Sequence, residues 1–199
     1  MEGSSSSYVL TTLLILLAFT SYVSLASGAV AGNSSSEFIR KSCTVTIYPK
    51  LCFTSLSRHT SAIQTSPERL AYTALSVTLD AANYTSSVMK KLSRRHGMKP
   101  REVGAMDDCV ELLSASVDLL RESLGEMNQT KEPNFERMMS DIKTWVSAAL
   151  TDDDTCMDGF PEQAMDGNLK TVVKRRVLKI AQLTSNALAL INNYASLHY

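Results

Sequence analysis

Apolar side chains recur at helical spacing in four long stretches of this chain, with short breaks between them. The second stretch is the most regular. Val103, Met106, Val110, Leu113, Val117, Leu120, Leu124 and Met127 alternate steps of three and four, a heptad seam held for more than three repeats. The first stretch carries Ala71, Ala74, Leu75, Thr78, Ala82, Met89 and Leu92 on one face, and the third carries Phe135, Met138, Met139, Ile142, Trp145, Val146 and Ala149. The fourth runs from about Leu169 to Tyr194 through Val173, Val177, Ile180, Thr184, Ala187 and Ile191. Each stripe is an apolar face that must be buried against another. Four of them with short connections predict an all-α, up-down-up-down four-helix bundle.

Local signals set the boundaries. Ser66 suits an N-cap, Pro67 the first helical position and Glu68 the positive helix end. Lys90, Lys91, Arg94, Arg95 and His96 followed by Gly97 predict the end of that helix. Pro133 lies in a turn between Asn128 and Asn134. The third stripe is expected to stop in the acidic run Asp152-Asp153-Asp154-Thr155, read as a solvated turn. Ahead of the bundle, Glu37 to Phe53 predicts a helical turn or two, broken at Tyr48-Pro49 because the residue before proline avoids helical backbone. The expected result is a small N-terminal helical hairpin.

No charged side chain occurs from Gly3 to Ser36. The apolar run Val9 to Phe19 is shorter than the roughly 20 residues a bilayer needs, and Ser24-Leu25-Ala26 and Ala29-Val30-Ala31 both fit a signal-peptidase site. These features predict a signal peptide over residues 1–26, with cleavage as late as 31, ahead of a domain over 34–194. The protein is then secreted, with no membrane attachment after cleavage. An uncleaved anchor is the alternative, because Met1 to Tyr8 contains no Lys or Arg.

Secretion changes how the four cysteines read. In an oxidising compartment they predict two disulfides, with three possible connectivities. Cys43 and Cys52 flank a natural local loop at Tyr48-Pro49, and Cys109 with Cys156 follows by elimination. In the chain-entropy picture these closures contribute about 2.5 and 4 kcal/mol. The sequons at Asn33, Asn83 and Asn128 are candidate N-glycosylation sites.

The 199 residues carry 20 Lys and Arg against 20 Asp and Glu, so the chain is no polycation and nucleic acid is not an expected partner. Glycine and proline are scarce, at 8 and 5, which favours helix throughout. A search for chemistry finds little. Asp152, Asp153, Asp154 and Asp158 resemble a calcium loop, but Cys156 occupies the third ligand position. His59, His96 and His198 are scattered singly, so no metal site is expected. No Gly-rich phosphate loop and no G-x-S-x-G occur. Arg175-Arg176-Val177-Leu178 fits a processing site but falls inside the fourth stripe. No catalytic or cofactor-binding residue is expected, and a binding or inhibitory role follows.

Four segments carry a resemblance: CTVTIYPKLC (Cys43 to Cys52), DCVELLSASVDLL (Asp108 to Leu120), WVSAALTDDDTCMDGF (Trp145 to Phe160) and LTSNALALIN (Leu183 to Asn192). In this order, with all four cysteines in place, the chain resembles the plant invertase/pectin methylesterase inhibitor domain, closest to the methylesterase-inhibitor branch. The resemblance implies an N-terminal helical hairpin on a four-helix bundle, with first and second cysteines paired and third and fourth paired. It implies a non-enzymatic protein of the apoplast and cell wall that binds pectin methylesterase one to one and covers its active-site cleft. The alternative partner is acid invertase, cell-wall or vacuolar. Invertase inhibitors of the family carry Pro-Lys-Phe in a loop, where this chain reads Pro133-Asn134-Phe135 without the lysine. Because the chain ends with the fourth stripe, a stand-alone inhibitor is expected rather than the pro-region of an esterase. A further alternative is a wall-binding structural protein that holds pectate with the basic end near Arg94 and Arg95.

Overall fold

The computed structural model describes residues 34–129, 133–161 and 167–198. The expected leader and Asn33 lie outside them. Residues 34–42 form helix α1. A 3-10 turn, Cys43–Val45, leads to the break at Tyr48, and α2, Pro49–Leu56, restarts with proline in its first turn. A second 3-10 turn, Ser57–His59, and the short α3, Thr60–Ile63, complete the N-terminal hairpin region.

Four long helices follow: α4 (Pro67–Leu92), α5 (Pro100–Met127), α6 (Phe135–Asp158) and α7 (Asn168–Ser196). The Ser66 side chain accepts a hydrogen bond from the Arg69 N–H at 3.3 Å, capping α4 ahead of Pro67. At the next start, Glu102 accepts from the Lys99 N–H at 2.8 Å. Neighbours in sequence pack side by side, and α7 closes the ring against α4. The result is an up-down-up-down four-helix bundle, and the described residues contain no strand.

Two cores hold it together. The larger runs along the bundle axis through Leu75 and Met89 of α4, Met106, Leu113 and Leu120 of α5, Met139, Ile142 and Val146 of α6, and Val173 and Val177 of α7. The smaller joins the hairpin to one edge: Ile39, Leu56 and Ile63 pack with Leu70 and Ala74 of α4 and Ala187 and Leu190 of α7. Burying each such large aliphatic side chain contributes roughly 1.5–3 kcal/mol. The second core explains why α4 and α7 bury residues beyond their single stripes, among them Leu70, Thr73, Leu183 and Leu190. Each must cover a bundle partner and the hairpin.

The structure differs from the sequence reading in three places. The buried face of α5 runs Met106, Cys109, Leu113, Ser116, Val117, Leu120, Ser123 and Met127, whereas Val103 is 38% exposed and Val110 and Leu124 are half-buried. Five of the eight expected seam residues are buried, and the face widens to admit Cys109 and two serines that an apolar pattern passes over. Helix α6 does not stop at the aspartates. It runs through them to Asp158, with Asp153 fully inaccessible. Helix α4 ends at Leu92, inside the basic cluster, with Lys90 and Lys91 in its last turn and Arg94, Arg95 and His96 beyond it, and Gly97 takes the left-handed backbone (φ 89°) five residues after Leu92, in the turn into α5.

Candidate docking surface and its internal support

Asp153 sits where α5, α6 and α7 meet. Its carboxyl accepts from the Ser116 hydroxyl of α5 at 2.9 Å and lies 3.2 Å from the Thr184 hydroxyl of α7. Thr184 also donates to the Ile180 carbonyl at 2.9 Å. A hydroxyl has one hydrogen, so Thr184 shares its own between the Asp153 carboxyl and the Ile180 carbonyl, while Ser116 donates to the other carboxyl oxygen. Burial raises the Asp153 pKa to about 7, with Asp152 and Asp154 adding to the rise against the two hydroxyl bonds. The acidic run is therefore a polar tie between three helices at its centre, with Asp154 and Asp158 left on the surface.

One helical turn on, Cys156 is bonded to Cys109 of α5, with Cα atoms 4.4 Å apart. So short a separation brings the two backbones close, which small neighbours permit. Beside the bridge lies a groove of about 580 Å³ lined by Ala105, Leu112 and Ala115 and by the exposed Asp108, Glu111 and Asp158. Along the outer face of α6, Thr144, Ser147, Thr151 and Thr155 form a ridge of short side chains. Each donates its hydroxyl hydrogen to the carbonyl four residues back, at 2.7 to 3.1 Å. These short side chains are already ordered by their bonds to the helix, so fixing them on contact costs little side-chain entropy.

The hairpin is held by a residue that sequence reasoning passed over. Asn186 of α7 is buried; its amide accepts from the Tyr48 N–H at 3.1 Å and donates to the Tyr48 carbonyl at 3.0 Å. The Cys43–Cys52 bridge closes the same break from its other side. The turn read as Pro133-Asn134-Phe135 splits in two. Pro133 and Asn134 are exposed, while Phe135 is buried edge-on to Tyr194 (5.6 Å between centroids) and stacked on His198 (4.2 Å). Among the sequons, Asn83 is exposed in mid-α4 and Asn128 is exposed at the end of α5.

No group of three His, Cys, Asp or Glu that could hold a metal ion occurs among the described residues. No helix among them is long and apolar enough to cross a membrane. The surface is thus one of short polar side chains and carboxylates over a braced helix pair. A family profile described as plant invertase/pectin methylesterase inhibitor matches residues 37–190. The chain belongs to that family. Within the plant invertase/pectin methylesterase inhibitor family, a 21 kDa protein of Daucus carota is 42% identical over 201 residues, covering 100% of this chain and 99% of the relative. Pectinesterase inhibitor 10 of Arabidopsis thaliana is 44% identical over 173 residues, which is 85% of this chain and 55% of that protein's length. The solved structure of mutant form A of a pectin methylesterase inhibitor from Arabidopsis shares the fold, with a TM-score of 0.62 at 24% identity over 75% of this chain and 92% of the other.

Proposed function

We propose that this protein is a secreted inhibitor of pectin methylesterase. It acts in the cell wall by forming a one-to-one complex that closes the enzyme's active-site cleft, and so it regulates pectin methylesterification. The observation that carries the reading is the match, across most of the chain, to relatives named as pectinesterase inhibitors. The mechanism is steric. The outer faces of α5 and α6 supply a rigid wall whose two helices are cross-linked at Cys109–Cys156 and tied at Ser116–Asp153. A wall already fixed in its bound shape loses little freedom on docking. Standard interfaces take about 800 Å² per partner, a size suited to one long helix pair.

Charge points to the same face. Asp108, Glu111 and Asp158 line the groove, and a complementary enzyme surface there is cationic. Replacing Thr151 with Arg and Glu111 with Arg, together, should weaken inhibition by roughly tenfold or more. Replacing the hairpin's exposed Ile47 with Ser should leave it unchanged. The reverse pattern would move the contact to the hairpin.

Acid invertase is the weaker reading. Asn134 stands where the lysine is expected, and Phe135 is covered by Tyr194 and His198. The exposed Asn83 and Asn128 are proposed as glycan acceptors, both away from the α5–α6 groove residues.

A further inference from the structure

The chain as a whole balances 20 cations against 20 anions, yet residues 90–101 hold Lys90, Lys91, Arg94, Arg95, Lys99 and Arg101 with no Asp or Glu among them. The rest of the chain is correspondingly acidic, so the charge is segregated to one end of the bundle. All six side chains are exposed. No ion pair between described residues involves any of them; those pairs are Glu37–Arg40 and Asp118–Arg121. Glu102, the nearest acid on α5, is engaged with the Lys99 backbone.

Helix electrostatics accounts for only part of this cluster. Lys90 and Lys91 occupy the last turn of α4, where the dipole favours cations. Arg94 and Arg95 lie beyond the helix. Lys99 and Arg101 flank the start of α5, the end at which the dipole disfavours positive charge. Cations that are locally unfavourable and unpaired indicate a ligand outside the chain. The turn at Gly97 gathers them beside a cleft of about 230 Å³ lined by Arg95 and His96, by the apolar Leu92, Met98, Leu169 and Val172, and by Asn168 and Glu102, the latter held on the Lys99 N–H.

We infer that this end of the bundle is a second binding site, for a de-esterified polyuronate. An open row of separate cations suits carboxylates repeated along a polymer better than one small anion, which a buried cradle of backbone N–H groups would hold. The apolar cleft wall suits the C–H faces of sugar rings. The choice of polymer rests on the inhibitor reading: hydrolysis of a pectin methyl ester leaves a carboxylate on the chain. The inhibitor would then accumulate on the product of the enzyme it opposes, with the α5–α6 face free.

The test needs no esterase, so it stands apart from the inhibition assay. The oxidised protein is passed over immobilised polygalacturonate, the same polymer fully methyl-esterified, and dextran sulfate, across a salt series. Retention on polygalacturonate should fall roughly tenfold or more as salt rises, because exposed charges are screened, and the esterified polymer should retain nothing. The K90Q/K91Q/R94Q/R95Q protein should bind at least about tenfold more weakly, whereas K41Q/K50Q in the hairpin should bind as the parent does. Equal losses in both variants, retention on the esterified polymer, or dextran sulfate bound as well as polygalacturonate would each overturn the assignment. Thermal melts show that both variants are folded.

Discussion

The side-chain amide of Asn186 meets both backbone polar groups of Tyr48, a residue 138 positions earlier, at 3.1 and 3.0 Å. Tyr48 stands at the break ahead of α2. Pro49 follows it, its backbone is non-helical (φ −120°, ψ 68°), and its N–H has no place in a helix ladder. A buried amide that offers one acceptor and one donor satisfies both groups at once and sets the hairpin in register on α7.

Replacing Asn186 with Ala leaves those groups without a protein partner at a half-buried junction. The expected loss is about 1–3 kcal/mol. Amide exchange should localise it: residues 43–56 should lose protection while the bundle core keeps its own. Unchanged exchange over the hairpin would show that the second core alone holds it.

Asp153 makes stability depend on pH. Its carboxyl has a folded pKa of about 7 against an ordinary 3.8, so the native state holds the proton more tightly than the unfolded chain. The contribution is fully present below pH about 4 and is lost as pH rises through about 7, on the order of 4 kcal/mol in all. Asp153→Asn keeps an acceptor for Ser116 and a donor for Thr184 but cannot ionise. Its melting temperature should match the parent's in acid and exceed it at pH 8. Parallel pH profiles for the two proteins would contradict the raised Asp153 pKa.

Removing the Cys109–Cys156 bridge by replacing both residues with Ala reopens a closure of 47 residues. The chain-entropy contribution is about 4 kcal/mol, which corresponds to a fall in melting temperature of roughly 10 °C. Inhibition should weaken as well, because the same bridge joins the two helices of the docking face. A melt that falls while inhibition holds would separate the brace from the surface it supports.

What the sequence disclosed follows from range. The stripes of α4, α6 and α7 are local periodicities, and their residues are buried as expected, except that Trp145 is only half-covered. The α5 seam holds at Met106, Leu113, Val117, Leu120 and Met127, and it misses Ser116 and Ser123 because a buried serine reads as polar until its partner is known. Ser116 has Asp153, 37 residues away, and Ser123 has the Leu119 carbonyl. Asp153 itself looked like part of a solvated turn, since three consecutive aspartates give no sign that the middle one points inward. Helical phase does carry that sign: 146, 149, 153 and 156 continue the stripe. Asn186 was illegible for a different reason, as its partner is a backbone group on another element.

The central claim is inhibition of pectin methylesterase, and a stoichiometric titration tests it most directly. The oxidised, folded protein is titrated into plant pectin methylesterase at mildly acidic pH, with plant acid invertase run beside it. Esterase activity should fall linearly and vanish near one inhibitor per enzyme while invertase is untouched. Full esterase activity at excess inhibitor, or loss of invertase activity alone, would contradict the account.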